Sequence, residues 1–430
     1  MASQPPAAVE DPNDSLPPID IKSLLSRLWP VGHPDVVTPS EIANAISHFF
    51  TNQVSPVHAG ALLMTLHFTG LDRHPEVLSR TASCMLSAAA QIPVSTLQNA
   101  IQSRGRPEGA YRGGLVDIVG TGGDSHNTFN ISTTSSILAS SLLLVAKHGN
   151  KASTSKSGSA DLLGCMLPLA PKISRIRPDT ISTLYENTNY GFLFAPVFHP
   201  GMRYVAPIRR QLPWRTIFNL LGPLANPTDL GAPSMLEARM IGVARKDLGP
   251  VFASALEMGG AKKAMVVCGD EELDEISCAG DTHCWLLRPS SLHGDGSSSS
   301  SSSETVVENF RLHPRDFGLP AHPLSDVSPG KEPTENAAIL ARILNGEFPD
   351  DDPILHFVLI NTAALFVVSG ICEADTSDLG YGDDGKVITE RGPGGGRWKE
   401  GVRRARWAIK SGEAARQWAK FVEITNSFSE

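Results

Sequence analysis

Residues 117–133 read DIVGTGGDSHNTFNIST, an apolar run that breaks at a Gly-Thr-Gly-Gly turn and resumes at hydroxyl and amide side chains. That order predicts a strand, a tight turn and the start of a helix. Gly120, Gly122 and Gly123 lack the Cβ that would hold an anion off the backbone and tolerate positive φ, so successive N–H groups can converge. Asn130, Ser132 and Thr133 fall where the helix opens, and a helix start presents free N–H groups and partial positive charge. The stretch reads either as a phosphate cradle or as a plain glycine turn, and one glycine loop does not separate the two.

The alternation continues downstream. LVDIVG from Leu115 and LLLVAKHG predict strands around a small-residue helix over 133–144; AKKAMVVCG from Ala261 and HCWLL from His283 predict further strands, with LGPVFASALEMGG helical between them. This pattern predicts an α/β fold: a larger domain over 111–430 with a central, mostly parallel sheet flanked by helices. No strand is evident before Leu115. Residues 21–110 show helical spacing of apolar side chains and predict a small N-terminal helical domain, joined by helices returning from about 175–200. Thr38-Pro39-Ser40-Glu41 offers its clearest start signal, an N-cap, a proline at the first helical position and a glutamate placed to close a capping box. Residues 1–20 read as a disordered tail. The Ser-rich stretch 289–303 and the stretch 375–397, which carries seven glycines without hydrophobic periodicity, read as flexible surface insertions.

Composition narrows the function classes. The 430 residues are 41% hydrophobic, enough for a large core, and 37 basic against 45 acidic residues leave a net charge of −8. That balance offers no overall attraction to nucleic acid or to an anionic membrane, so a phosphorylated ligand must be met by local chemistry. The six cysteines have no CxxC spacing and fit a reducing compartment. The N-terminal residues resemble neither a signal peptide nor a presequence, and no apolar run is long enough to span a bilayer, so the expected location is cytoplasmic.

Residues 147–161, KHGNKASTSKSGSAD, pack three lysines, a histidine, an asparagine and five hydroxyls into fifteen positions. Such density suits an anion, although a solvated polar loop has the same composition. Lys147 follows an apolar run, which puts its ammonium at the carboxyl end of a strand, where open α/β sheets bind ligands. No GxxxxGK[ST] occurs, so NTP hydrolysis by a P-loop loses its main support.

GTGGD, NIST and KHGNKASTSKSGSAD together resemble the anthranilate phosphoribosyltransferase family of tryptophan biosynthesis. FLFAPVFHPGMRYVAPIRRQLPWRTIFNLLGPLANP over 192–227 and LDEIS from Leu273 extend the resemblance across most of the chain. It implies transfer of the phosphoribosyl group of 5-phosphoribosyl 1-diphosphate (PRPP) to the amine of anthranilate, with release of pyrophosphate and Mg2+ as cofactor. The implied PRPP residues are Gly120, Thr121, Gly122, Gly123, Asp124, Thr128, Asn130, Ile131, Ser132, Thr133, Lys147, Lys151, Ser155 and Ser159. Those implied for anthranilate are Gly120, His148, Asn150, Ala195, Pro196, His199 and Arg209, the arginine meeting the carboxylate with its planar guanidinium. Ser132, Asp274 and Glu275 are the implied metal ligands. Asp270, Glu271 and Glu272 compete with the last two on chemistry alone, as Arg203 and Arg210 compete with Arg209. Asp124 beside a polyanion is repulsive unless it meets ribose hydroxyls or metal, and both roles stay open.

No dedicated acid or base is assigned, because the anthranilate amine is already neutral at pH 7. Lys151 stands where the family commonly has arginine, Ser125 where it has glycine and Tyr204 where it has histidine. The resemblance further implies a homodimer, with no nucleic-acid or membrane partner, and there is no region long enough for a fused amidotransferase. Two alternatives are a pyrimidine nucleoside phosphorylase-like enzyme, which lacks the HPGMRYVAPIRR match, and a non-catalytic nucleic-acid-binding relative, which should lack the metal acids.

Overall fold

A computed structural model describes residues 16–29, 37–152, 157–290, 305–328 and 332–429. Most of the predicted tail and of the Ser-rich stretch lies outside the described residues. Seven strands form one sheet: β1 (Leu115–Gly120), β2 (Leu144–Gly149), β3 (Tyr190–Phe194), β4 (Leu236–Gly242), β5 (Ala264–Gly269), β6 (Thr282–Pro289) and β7 (Thr305–Leu312). Their order is β3-β2-β1-β4-β5-β6-β7. Neighbours among β1 to β5 pair parallel, while β6 and β7 are antiparallel additions. The central strands are nearly continuous apolar runs because helices cover both faces. β7 has no counterpart among the predicted strands; its TVVENFRL alternates half-buried and exposed positions at the sheet edge.

This strand order decides where ligands bind. From β1 the chain winds outward through β2 to β3 on one side, and β4 and β5 extend the sheet on the other, so the order reverses between β1 and β4. The crevice beyond the carboxyl ends of strands at such a reversal is the binding place in open α/β sheets, and GTGGD leaves β1 there. The helix Pro353–Ser369, buried along almost its whole length, packs near β4 and the helix Ile131–Ala139. No helix among the described residues is long and apolar enough to cross a membrane.

The helical unit comprises the chain up to Ala89 together with His199–Leu221. It contains the helices Lys22–Arg27, Pro39–Ser47, Pro56–Thr69, Pro75–Ser87 and Met202–Arg210, and the Thr38/Glu41 capping box forms as predicted. Both expected borders move. Helix Val94–Arg104 belongs to the α/β unit because Leu97, Ala100 and Ile101 join its core. The segment that returns is His199–Leu221 and not 175–200, because Tyr190–Phe194 is already committed to the sheet as β3, paired with β2.

Residues 375–397 also depart from the expected flexible insertion. They have almost no regular structure, yet charged groups fasten them at several points. The Ile388 N–H donates to Glu400 Oε2 at 3.0 Å, Arg403 meets Asp383 at 2.8 Å, Arg397 meets Asp375 at 2.7 Å, and the Trp407 indole N–H donates to the Tyr381 carbonyl at 3.0 Å. Composition predicts poor secondary structure there. It does not register partners that arrive from helix Trp398–Lys410.

Candidate active site

The chain leaves β1 and runs without regular structure to the helix Ile131–Ala139. The Thr121 N–H donates to the Gly242 carbonyl at the end of β4, 2.9 Å away. The Gly122 N–H, at φ 63°, donates to Asp274 Oδ2 at 2.7 Å. A Cβ on Gly120 would stand 2.3 Å from that same oxygen. Gly120 thus leaves space for a carboxylate of the protein itself and the Gly122 N–H binds it, a use that the sequence, read for phosphate, did not signal.

Carboxylate oxygens of Asp124, Asp274 and Glu275 lie within 4.8 Å of one another, the group among the described residues that could hold a metal ion. Burial pushes Glu275 well above the usual carboxylate range, reinforced by Asp274 and Asp124 and opposed by Lys147 and a hydrogen bond from the Ser132 amide. A divalent cation supplies the charge that such a cluster demands, and oxygen donors of this kind suit Mg2+, which keeps waters and substrate oxygens in its remaining positions. The rival acids are engaged elsewhere. Asp270 pairs with His283 at 2.7 Å and Lys246 at 3.0 Å, and Glu271 accepts a hydrogen bond from the Ser277 hydroxyl. Glu272 sits at φ 63° on the turn that follows β5.

On the phosphate side, the Asn130 side chain caps the helix by accepting from the Thr133 N–H at 3.3 Å. Ile131 and Ser132 form its first turn. The Thr133 hydroxyl donates to Ser159 Oγ at 2.8 Å, so the two motifs meet directly. Asp161 gathers the ends of the second loop, accepting from the N–H groups of Ala152 at 2.7 Å and Gly158 at 3.0 Å. Asn150 and Lys151 are exposed on that loop, and Asn150 Oδ1 accepts from the Lys151 N–H at 2.8 Å. Thr128 is half-buried and Gly123 exposed on the first loop. Ser155 lies outside the described residues.

Lys147 is placed differently from the expectation. Its ammonium turns inward, 1% exposed, and donates to the Ile118 carbonyl at 2.7 Å. Burial lowers its pKa, opposed by Asp117, Glu275 and Asp274. Under it, buried Asp117 accepts from Asn226 Nδ2 at 2.8 Å and from the His148 N–H at 3.3 Å, while His148 Nδ1 meets the Gly222 carbonyl at 3.1 Å. Ala195 and Pro196 open the short helix Ala195–Phe198 directly after β3.

His199 and Arg209 belong to the helical unit. His199 is buried; the Arg209 guanidinium lies over the Phe218 ring, 5.8 Å from its centroid. Burial, with Arg215 nearby, lowers the Arg209 pKa from a value so high that the group stays charged.

Several supports leave no sign in the sequence. The Asn130 N–H donates to Asn336 Oδ1 at 3.0 Å across 206 residues of sequence, and the Phe129 N–H donates to the Val327 carbonyl at 2.9 Å. Asp117 had a weak sign, a carboxylate inside an otherwise apolar strand, which a buried partner must satisfy.

Residues 112–415 match the model of a glycosyl transferase family α/β domain, and residues 22–89 that of the same family's helical bundle domain. The anthranilate phosphoribosyltransferase of Schizosaccharomyces pombe is 40% identical over 385 residues, covering 89% of this chain and 91% of that one. Among solved structures, the anthranilate phosphoribosyltransferase of Saccharomyces cerevisiae in complex with PRPP and Mg matches with a TM-score of 0.73 and 30% identity, over 95% of this chain and 98% of that one. The same yeast enzyme in complex with 4-fluoroanthranilate matches with a TM-score of 0.72 and 28% identity, over 95% of this chain and 99% of that one.

Proposed function

The chain belongs to the anthranilate phosphoribosyltransferase family, and on that premise we propose which of its residues carry the reaction. The enzyme transfers the 5-phosphoribosyl group of PRPP to the amine of anthranilate in tryptophan biosynthesis, giving N-(5-phosphoribosyl)anthranilate and pyrophosphate, with Mg2+ as cofactor. The observation that carries the residue assignment is the convergence of Asp124, Asp274 and Glu275 beside the GTGGD loop at the sheet's reversal point.

As the amine nitrogen bonds to C1 of ribose, the bond from C1 to pyrophosphate breaks and the nitrogen loses a proton. Charge leaves with pyrophosphate while the sugar turns cationic, so stabilisation of both is the main demand. Mg2+ neutralises pyrophosphate charge, held by Asp274 and Glu275 with Ser132 as a further oxygen; Asp124 completes the cluster. The N–H groups of Gly123 and Ile131 and the Thr128 hydroxyl, with Lys151, Ser155 and Ser159, bind the phosphates. Lys147 acts as a fixed positive charge beneath the acids, since its hydrogen bond to Ile118 turns it inward. His148 and Asn150 orient the amine, Ala195, Pro196 and His199 meet the ring, and Arg209 meets the carboxylate.

Anthranilate fluorescence tests both the reaction and the Arg209 assignment. It should decay only with PRPP and Mg2+ together; base release from thymidine and phosphate with anthranilate untouched would instead indicate a nucleoside phosphorylase. A hydrogen-bonded charge pair contributes about 1.5–3 kcal/mol, so Arg209→Ala should raise the KM for anthranilate roughly 10- to 100-fold and leave that for PRPP within about threefold. Equal effects on both would remove the assignment.

The assembly is a homodimer of cytoplasmic enzyme in this proposal. Val57, Met64 and Phe68 are large, exposed and apolar, and their spacing puts them on one face of helix Pro56–Thr69. A second copy is the partner that such a stripe suits. Phe68→Lys should shift sedimentation from dimer to monomer; a monomeric wild-type protein would refute the dimer.

A further inference from the structure

The loop from Thr121 to Asn130 is pinned at both ends. Thr121 is tied to Gly242, Phe129 to Val327 and Asn130 to Asn336. In its middle, His126 Nε2 lies 2.8 Å from the carbonyl oxygen of Glu271. A carbonyl only accepts, so Nε2 carries the hydrogen and donates it. Glu271 stands three residues before Asp274 on the turn between β5 and β6. That turn is itself held: the Asp270 N–H donates to the Asp281 carbonyl and the Gly269 N–H to the Leu273 carbonyl, both at 2.9 Å. The Ile276 N–H donates to Asn361 Oδ1 at 3.0 Å.

Asp124 therefore brings a carboxylate from the loop against two carboxylates on a rigid turn. Like charges at this range repel, and the Gly122 N–H, which donates to Asp274 Oδ2 at 2.7 Å, holds the loop to the turn on one side of Asp124. His126, two residues beyond Asp124, bonds the loop to the opposing turn. We propose that His126 is a positioning residue: its hydrogen bond to Glu271 holds Asp124 against Asp274 and Glu275, so that all three acids present one cation site before substrate arrives. The proposal rests on the assignment of those acids to the metal.

The test uses the full-length protein with Mn2+ as the probe, its free concentration read by electron paramagnetic resonance. His126→Ala should weaken Mn2+ binding about three- to tenfold, the effect of one hydrogen bond. It should raise the KM for Mg·PRPP by a similar factor, with kcat and the KM for anthranilate within about twofold. His126→Gln should restore both, because its amide N–H reaches about as far as Nε2. Unchanged Mn2+ affinity in His126→Ala overturns the proposal, as does a Gln variant no better than Ala. A uniform loss of every kinetic constant with a lowered Tm also overturns it, since that marks a merely structural role. Asp274→Asn runs in parallel. If it binds Mn2+ as the wild type does, the metal assignment fails, and the His126 proposal with it; if it loses Mn2+, a negative result at His126 counts against His126 alone.

Discussion

Asp274→Asn combined with Glu275→Gln should abolish Mg2+-supported turnover, lowering kcat/KM for PRPP by on the order of 10^3 or more, because a bound cation supplies several kcal/mol of charge stabilisation in such a transfer. The fold should survive. The Asn side chain keeps an oxygen to accept the Gly122 N–H, now 2.7 Å from Asp274 Oδ2. Removing negative charge from a cluster within 4.8 Å of Asp124 relieves repulsion, so the Tm measured without metal should not fall. Steady-state kinetics against Mg2+ concentration, with a thermal melt of each protein, check both halves. Undiminished turnover would return the metal to the Asp270, Glu271 and Glu272 cluster.

Glu400→Ala should destabilise the protein by about 3–5 kcal/mol, the range for breaking a buried ion pair by removing one partner. Glu400 and Arg404 are both fully buried, joined at 2.7 Å, and Arg404 also reaches Glu108 at 2.7 Å. Arg403 adds a second pairing to Glu400 at 2.7 Å. Without Glu400, the Arg404 guanidinium loses its buried counter-charge and the Ile388 N–H loses its acceptor. Burial raises the Glu400 pKa, but the hydrogen bonds from Arg403, the Ile388 amide and Arg404 outweigh it and hold the carboxylate below its usual range. The folded pKa therefore lies below the unfolded one. This contribution is full above the ordinary glutamate pKa and is lost as pH falls through the depressed value. Denaturant melts at neutral and acid pH check it; a loss under about 1 kcal/mol at neutral pH would show that Glu108 and solvent suffice.

The network also fastens the glycine-rich segment in a way its composition does not show. Its Asp375, Ser377, Asp383 and Glu390 look like solvated turn residues in sequence. In the structure Ser377, Asp383 and Glu390 meet Arg403 and Lys399 beyond the stretch, and Asp375 meets Arg397 at its far end; a local composition argument has no term for either kind of pairing. The same limit misplaced the returning segment of the helical unit. PDTISTLYENTN is helical in part, as its pattern suggests, with a helix over Ile181–Asn187, but helicity does not reveal which unit a helix packs in.

What the sequence determined was local or carried by contiguous motifs. The strand, glycine turn and helix start of GTGGD and NIST, the Thr38 capping box and the alternation that builds a parallel sheet all depend on neighbours within a few residues, and so do the motifs that mark the family. The tertiary structure decided what depends on distance across the chain. It showed that Gly120 leaves room for Asp274 and the Gly122 N–H binds it, that Asp124 joins the acid cluster, that Lys147 points inward to Ile118, and that His126 and Asn336 brace the loop. Chain connectivity fixes backbone preferences over short spans, whereas a charge is assigned its role by whichever opposite or like charge the fold brings within a few ångströms.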